Sequence, residues 1–523
     1  MTATALAVLA VTAVAMLTLV VGAFGLRLAR TTSDFYVASR TVRPATNAAA
    51  ISGEYLSAAS FLGVAGLIAA RGPDMLWYPI GYTAGYLVLL LFVAAPLRRS
   101  RAYTLPDFTE FRLESQVARG LASLLVVLIA GLYLLPQFRG AGLTLHAVTG
   151  APDWVGSGLV ALVVLLGVVG GGMRSITLAQ AVQYWLKLAA LAVPLIFLAV
   201  RHAGGSAAAH ARLHRIDWLE PMQTPHSLYL TYSLILATFL GTMGLPHVAV
   251  RFYTNPDGRA ARRTTVAVLG LLSVFYLLPP LYGVLGRAQL TDLANSDLVV
   301  LELPARMVGG LTGDLLVAIL GAGAFAAFLS TSSGLVLSIA GVLGQDLLGR
   351  RFRPVTAFRL AAVLGAMGTL ALTLLTTGLA VAHAVELAFA VAASTFAPML
   401  LLGIWWRGLT AHGAIWGMAV GGVTSTTAIC AEMAGAGGNG LAGAILSQPA
   451  LCTVPLAFTV MVLGSLATAD RLPPGWARTM VRLHTPEAVD VDRSGFRARG
   501  SVDPPRAAPR GTARRSRGTA RRV

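Results

Sequence analysis

The sequence predicts an all-α polytopic membrane protein, and three observations carry that expectation. Of the 523 residues, 56% are hydrophobic and only 12% are charged, whereas a soluble domain carries about 25% charged residues. The mean hydropathy is +0.72. The apolar residues fall in long runs, near the roughly 20 residues an apolar helix needs to cross a bilayer core. Together these exclude a soluble enzyme, a coiled coil and a disordered scaffold. Cys430 and Cys452 both lie in apolar runs, which argues against a disulfide framework or a metal cluster.

Thirteen runs qualify as spans: 4–26, 46–70, 74–96, 121–145, 155–173, 178–200, 228–250, 264–286, 311–345, 357–377, 382–404, 411–431 and 448–468. The first lacks a basic flank and is too long for the apolar region of a signal peptide, so it is expected to be retained. The formal net charge of +18 would suit nucleic-acid binding, but the arginines are placed otherwise. They crowd every second connection, for example Arg98, Arg99, Arg101, Arg112 and Arg119, then Arg251, Arg259, Arg262 and Arg263, then Arg350, Arg351 and Arg353. Cytoplasmic loops are enriched in this way. The pattern puts the N-terminus outside and the C-terminus inside. Lys187 is the only lysine. The last fifty residues are rich in Arg, Pro and Gly and too poor in apolar residues to build a core. They are expected to be a disordered cytoplasmic tail in weak contact with anionic headgroups.

Two spans are interrupted. The second places Gly53, Glu54, Ser57, Ser60 and Gly63 at membrane depth. The seventh places Gly241, Thr242, Gly244, Pro246 and His247 there. Pro246 lacks an N–H, so a carbonyl one turn earlier loses its partner. Such backbone is tolerated in a membrane only where protein or a cavity surrounds it. Paired broken helices five spans apart point to a transporter with inverted repeats, here spans 2–6 and 7–11. Kinked helices packed through small residues are the plainer alternative. The intramembrane Glu54 favours the functional reading, because an ionisable group there is costly. In the ninth span Ser330 and Thr331 can both face a neighbouring helix, with Ala327 one turn before. Hydroxyl and carbonyl oxygens suit a hard cation, although a hydroxyl run in a helix also serves packing and back-bonding.

These strings resemble the sodium/solute symporter family, most nearly its cation/acetate (monocarboxylate) branch. The matching segments are DFYVASRTVRP at 34–44, GEYLSAASFLG at 53–63, PLRRSRAYTLPDF at 96–108, PQFRGAGLTL at 136–145, GLPHVAVRFYT at 244–254, AFAAFLSTSSGL at 324–335 and GQDLLGR at 344–350. The resemblance implies a five-plus-five inverted-repeat core of the leucine-transporter type. It implies a sodium site at Gly53, Leu56, Ala327, Ser330 and Thr331, with Na⁺ as coupling ion and no other cofactor. Ser57 matches a serine that supports ion or substrate binding in relatives. Two residues depart from the branch: Glu54 stands where an aspartate is expected, as an ion-linked acid, and Arg139 stands where an apolar residue is expected. A guanidinium at Arg139 pairs with a substrate carboxylate, pairs with Glu54 or another acid, or snorkels outward.

The organisation expected is a peripheral helix and loop at 1–45, a transport core at 46–404, two peripheral helices at 405–470 and the tail at 471–523. The function expected is Na⁺-coupled import of a short monocarboxylate such as acetate, propionate or pyruvate across a bacterial plasma membrane. The partners are then the small organic acid, Na⁺ and the bilayer, with no nucleic acid. Substrate contacts are expected from Ser57, Gln137, Arg139, Gly241, Thr242 and Gly244, with His247 and Tyr55 as further side chains. The alternatives are a family member for proline, pantothenate or a sugar, and, further off, a membrane sensor. An enzyme is not expected, since the histidines at 202, 210, 214 and 226 are scattered along one loop without ligand spacing.

Overall fold

A computed structural model describes residues 2–26, 32–203, 221–222, 225–290, 296–375, 381–438 and 440–487. The regular secondary structure of the described residues is all helical. The elements used below are α1 (Ala3–Leu26), α2 (Pro44–Tyr55), α3 (Ala59–Arg71), α4 (Pro73–Arg99), α5 (Gln116–Thr149), α6 (Asp153–Ala203), α7 (Ser227–Gly244) and α8 (Pro246–Phe252). They continue with α9 (Gly258–Gln289), α10 (Gly310–Leu348), α11 (Pro354–Leu375), α12 (Val381–Trp405), α13 (Ala411–Met433), α14 (Ala450–Ala467) and α15 (Trp476–His484).

Eleven of the described helices are long and apolar enough to cross a membrane, or twelve if α2 and α3 count as one bent span. That count takes the stretch Asp153–Arg201 as a single span, although it holds two of the expected runs, 155–173 and 178–200. Straight, the 51 residues of α6 would reach about 76 Å at 1.5 Å per residue, far beyond a ~30 Å core. Two helices instead meet at a kink at Gly172, where φ is 55° and ψ is −150°. A side chain at Gly172 would also meet the backbone of Phe35.

The outer surfaces of α1, α11 and α14 remain largely exposed and apolar, as a lipid-facing ring requires. The centre is different. In α10 and α12 most residues are buried, and α10 packs against α5, α6 and α1. The arginine-rich loops interlock at one end of the bundle. Arg119 pairs with Asp107 at 2.8 Å and Asp346 at 2.6 Å. Arg112 donates to the carbonyls of Gly403 and Trp406 at 2.8 and 3.1 Å; burial lowers its pKa to about 10, so it keeps its charge at neutral pH. Within the segment expected to be a disordered tail, residues 476–484 form α15 instead. Met480 and Leu483 are buried there, and Arg99 donates to the Leu483 carbonyl at 3.1 Å. The rest of that tail, from 488, lies outside the described residues, as do His210 and His214.

Candidate functional site: two broken helices and a buried lysine

The first break separates α2 from α3, which meet at 70°. Helical geometry stops after Tyr55, and Leu56 takes φ −73° and ψ 85°. The carbonyls before the break then lose their partners four residues on. Gly53 sits where α2 presses on α6: a Cβ there would meet the Gln180 carbonyl. The restart is capped from α5, where the Gln137 side-chain oxygen accepts from the Ala58 N–H at 3.1 Å.

The structure brings the five expected sodium positions together. Thr331 donates from its hydroxyl to the Glu54 carbonyl at 2.6 Å. Ser330 donates to the Ala327 carbonyl at 3.0 Å. The space among the oxygens is taken, however. The ammonium of Lys187, from α6, donates to the Gly53 carbonyl, to the Leu56 carbonyl at 2.8 Å and to the Ser330 hydroxyl oxygen at 2.8 Å. An ammonium has three N–H donors, and here each has an acceptor.

Glu54 is 2% exposed and pairs with Arg251 of α8, which is 1% exposed. Arg251 also donates to Thr177 at 2.8 Å and to the side-chain oxygen of Gln180. Gln180 in turn donates to the Ser330 carbonyl at 2.7 Å. One continuous network therefore ties both broken helices to α6 and α10. Gly334 of α10 is required beside it, since a Cβ there would collide with the Glu54 carboxylate. Two expectations are corrected here. Arg251 is no loop arginine, and the partner of Glu54 is Arg251, not Arg139. Thr177, Gln180, Tyr184 and Lys187 are all buried and recur at helical spacing along one face of α6. The sequence signal for them is Lys187, a lone lysine in the middle of an apolar run.

The second break follows Gly244. Leu245 is extended, with φ −69° and ψ 121°, and Pro246 opens α8. A cage of rings surrounds it. Tyr133 stands 5.2 Å from His247 and 5.8 Å from Phe389, between ring centroids. Phe389 lies 4.9 Å from Tyr82, and Tyr55 lies 4.9 Å from Tyr86. The Tyr55 hydroxyl shares a hydrogen bond with Thr242 at 2.8 Å and so joins the two breaks. The hydroxyls of Tyr82 and Tyr86 and both ring nitrogens of His247 are buried with no hydrogen-bond partner among the described residues. Tyr82 and Tyr86 went unread in the sequence, because aromatic residues in a span look like ordinary packing.

The other expected substrate residues divide. Ser57 is buried beside Tyr133, and Thr242 lies at the cage through its bond to Tyr55. Gln137 is engaged in capping. Gly241 and Gly244 face the carbonyls of Phe389 and Ala392, so their missing side chains let α7 lie against α12. Arg139 lines a cleft with Leu132, Leu372, Thr373 and Met433, none of which belongs to either break.

Comparison with known proteins gives the family and the fold. The model of the sodium:solute symporter family matches residues 35–421. The chain is 32% identical over 501 residues to an uncharacterized symporter, YwcA, of Bacillus subtilis, covering 90% of this chain and 97% of that one. It is 31% identical over 488 residues to a monocarboxylic acid transporter of Corynebacterium glutamicum, covering 84% and 88%. Among solved structures, a substrate-bound, outward-open Na⁺-coupled sialic acid symporter superposes with a TM-score of 0.72 at 15% identity, covering 90% of this chain and 98% of that one. MhsT in complex with L-phenylalanine gives a TM-score of 0.55 at 15% identity, covering 81% and 99%.

Proposed function

The chain belongs to the sodium:solute symporter family, and from that premise we propose that it is a cation-coupled importer of a short monocarboxylate such as acetate, propionate or pyruvate. Family and fold are those of secondary transporters rather than enzymes. The observation that carries the substrate class is the cage at the second break. Tyr82, Tyr86 and His247 present polar groups that no atom of the described residues satisfies, and buried polar groups are rarely left so. A carboxylate accepts hydrogen bonds from hydroxyl and imidazole donors, and the surrounding rings would suit a short apolar tail. A relative in Corynebacterium glutamicum is a monocarboxylic acid transporter, which supports the same class.

Family membership supports Na⁺ as the coupling ion. The transport core is assigned to 46–404 and the peripheral helices to 1–45 and 405–470, in a bacterial plasma membrane with the N-terminus outside. Access alternates when α2 and α8 shift against α10, exchanging the bond from Thr331 to the Glu54 carbonyl for others. One monovalent cation moved with one monocarboxylate carries no net charge, so voltage then adds nothing to accumulation.

The test is uptake into proteoliposomes of labelled acetate, propionate, pyruvate, proline, pantothenate and glucose. Saturable uptake of the three acids, with mutual competition, is expected. Uptake confined to proline, pantothenate or glucose would replace the substrate reading with another solute of the same family.

A further inference from the structure

We infer that the Lys187 ammonium is the resident cation of the site at the first break, standing where a bound Na⁺ would otherwise sit. The site has the oxygens a small hard cation needs, two carbonyls freed by the break and one hydroxyl. All three accept hydrogen bonds from one nitrogen. The nitrogen is fully buried on a rigid helix, and its stem leaves α6 from the same face as Gln180 and Tyr184.

The charge balance gives a second, independent argument. Glu54 is the carboxylate at this break, and it is already paired with Arg251. Those two charges cancel, and the three acceptors around the Lys187 nitrogen suit its protonated form, which leaves the cluster with one net positive charge. Adding Na⁺ beside Lys187 would put a second uncompensated positive charge in a low-dielectric interior, which Coulomb repulsion opposes. The oxygens would also have to exchange charge-assisted hydrogen bonds for ion contacts. The network that orients them is built around the ammonium. Gln180 holds the Ser330 carbonyl while Arg251 holds Gln180.

Lys187 is thus a specificity-determining residue for the coupling ion. The chain holds α2 against α10 with its own cation, and any Na⁺ that drives uptake binds elsewhere. The inference draws on the symporter reading only for this consequence. Its test is a binding measurement that needs neither substrate nor transport, so failure to move acetate would count against the proposed substrate and leave this result standing.

Thermal unfolding of the purified full chain in detergent would be compared in NaCl and in choline chloride, for the wild type, Lys187→Ala, Ser330→Ala and Lys187→Ala with Ser330→Ala. A ligand that binds only the folded state raises the unfolding temperature in proportion to its occupancy. The wild type is expected to show no Na⁺-specific rise. Lys187→Ala, with the ammonium removed and the oxygens vacated, is expected to gain a saturable rise of a few degrees, and the double variant to lose it. A Na⁺-specific rise in the wild type that Ser330→Ala leaves intact places the ion elsewhere and upholds the proposal. A wild-type rise that Ser330→Ala abolishes overturns it, as does a folded Lys187→Ala that ignores Na⁺. If Lys187→Ala does not fold, the wild type and Ser330→Ala still decide the matter.

Discussion

The two broken helices differ in how their exposed polar groups are satisfied. At the first break the freed backbone and the charges have partners: Lys187 donates to the carbonyls of Gly53 and Leu56, Gln137 caps Ala58, and Arg251 holds Glu54. What stays unpartnered there among the described residues is the hydroxyls of Ser52 and Ser57 and one Glu54 oxygen. At the second break, Tyr82, Tyr86 and His247 hold buried polar atoms without partners among the described residues. The first break thus ties its backbone and charges to the rest of the chain, as a structural joint does. The second is walled by aromatic side chains whose polar atoms are left over, as a place for something the protein does not carry would be.

The contrast breaks most visibly at the charged joint. Glu54→Ala leaves Arg251 buried and unpaired, and losing one partner of a buried ion pair costs about 3–5 kcal/mol. Denaturation of the purified variant should show that loss, and accumulation in the membrane should fall with it. A variant as stable as the wild type would mean the joint is held by other contacts. At the second break the opposite pattern is expected. Tyr86→Phe removes a hydroxyl with no partner among the described residues, so the unfolding temperature should not fall. Half-saturation for the monocarboxylate should rise about tenfold or more, since a hydrogen bond to a charged group contributes roughly 1.5–3 kcal/mol. Stability lost with affinity unchanged would reverse the roles of the two regions.

Smaller effects sharpen the boundary between them. Gln137→Leu orphans the Ala58 N–H, and a buried unsatisfied donor costs about 1–3 kcal/mol; chemical denaturation should register it, because Gln137 belongs to the joint. Arg139→Ala should change uptake by about twofold at most, within the ±0.5 kcal/mol typical of sites outside such features, because its side chain faces the cleft beside Leu372 and Thr373. A tenfold loss of uptake in that variant would return Arg139 to the substrate path.

Much of the fold could be read from the sequence because a bilayer imposes its own length scale. The span expected at 411–431 is the helix Ala411–Met433, and the one at 382–404 is Val381–Trp405. Both interruptions were legible from Gly, Pro and an acid at membrane depth. The runs 155–173 and 178–200 are both present and meet at the Gly172 kink with no loop between them. In the site, residue types could be read but pairings could not. Glu54 stood out as an intramembrane acid, yet its partner Arg251 followed a span and read as a loop charge. Sequence offered Arg139 instead, and only packing shows which arginine faces inward. Lys187 was visible as the one lysine, but its three acceptors come from two other helices, 131 to 143 positions away in the chain. The tyrosines of the second break carry no local signal at all, because their significance lies in what they do not touch.

The most direct test is an experimental density map of the full chain in a Na⁺ buffer containing propionate. The Lys187 nitrogen is expected on the oxygens of Gly53, Leu56 and Ser330, with carboxylate density against Tyr86 and His247. A spherical density among those oxygens with the lysine swung away, or propionate bound far from the second break, would contradict it.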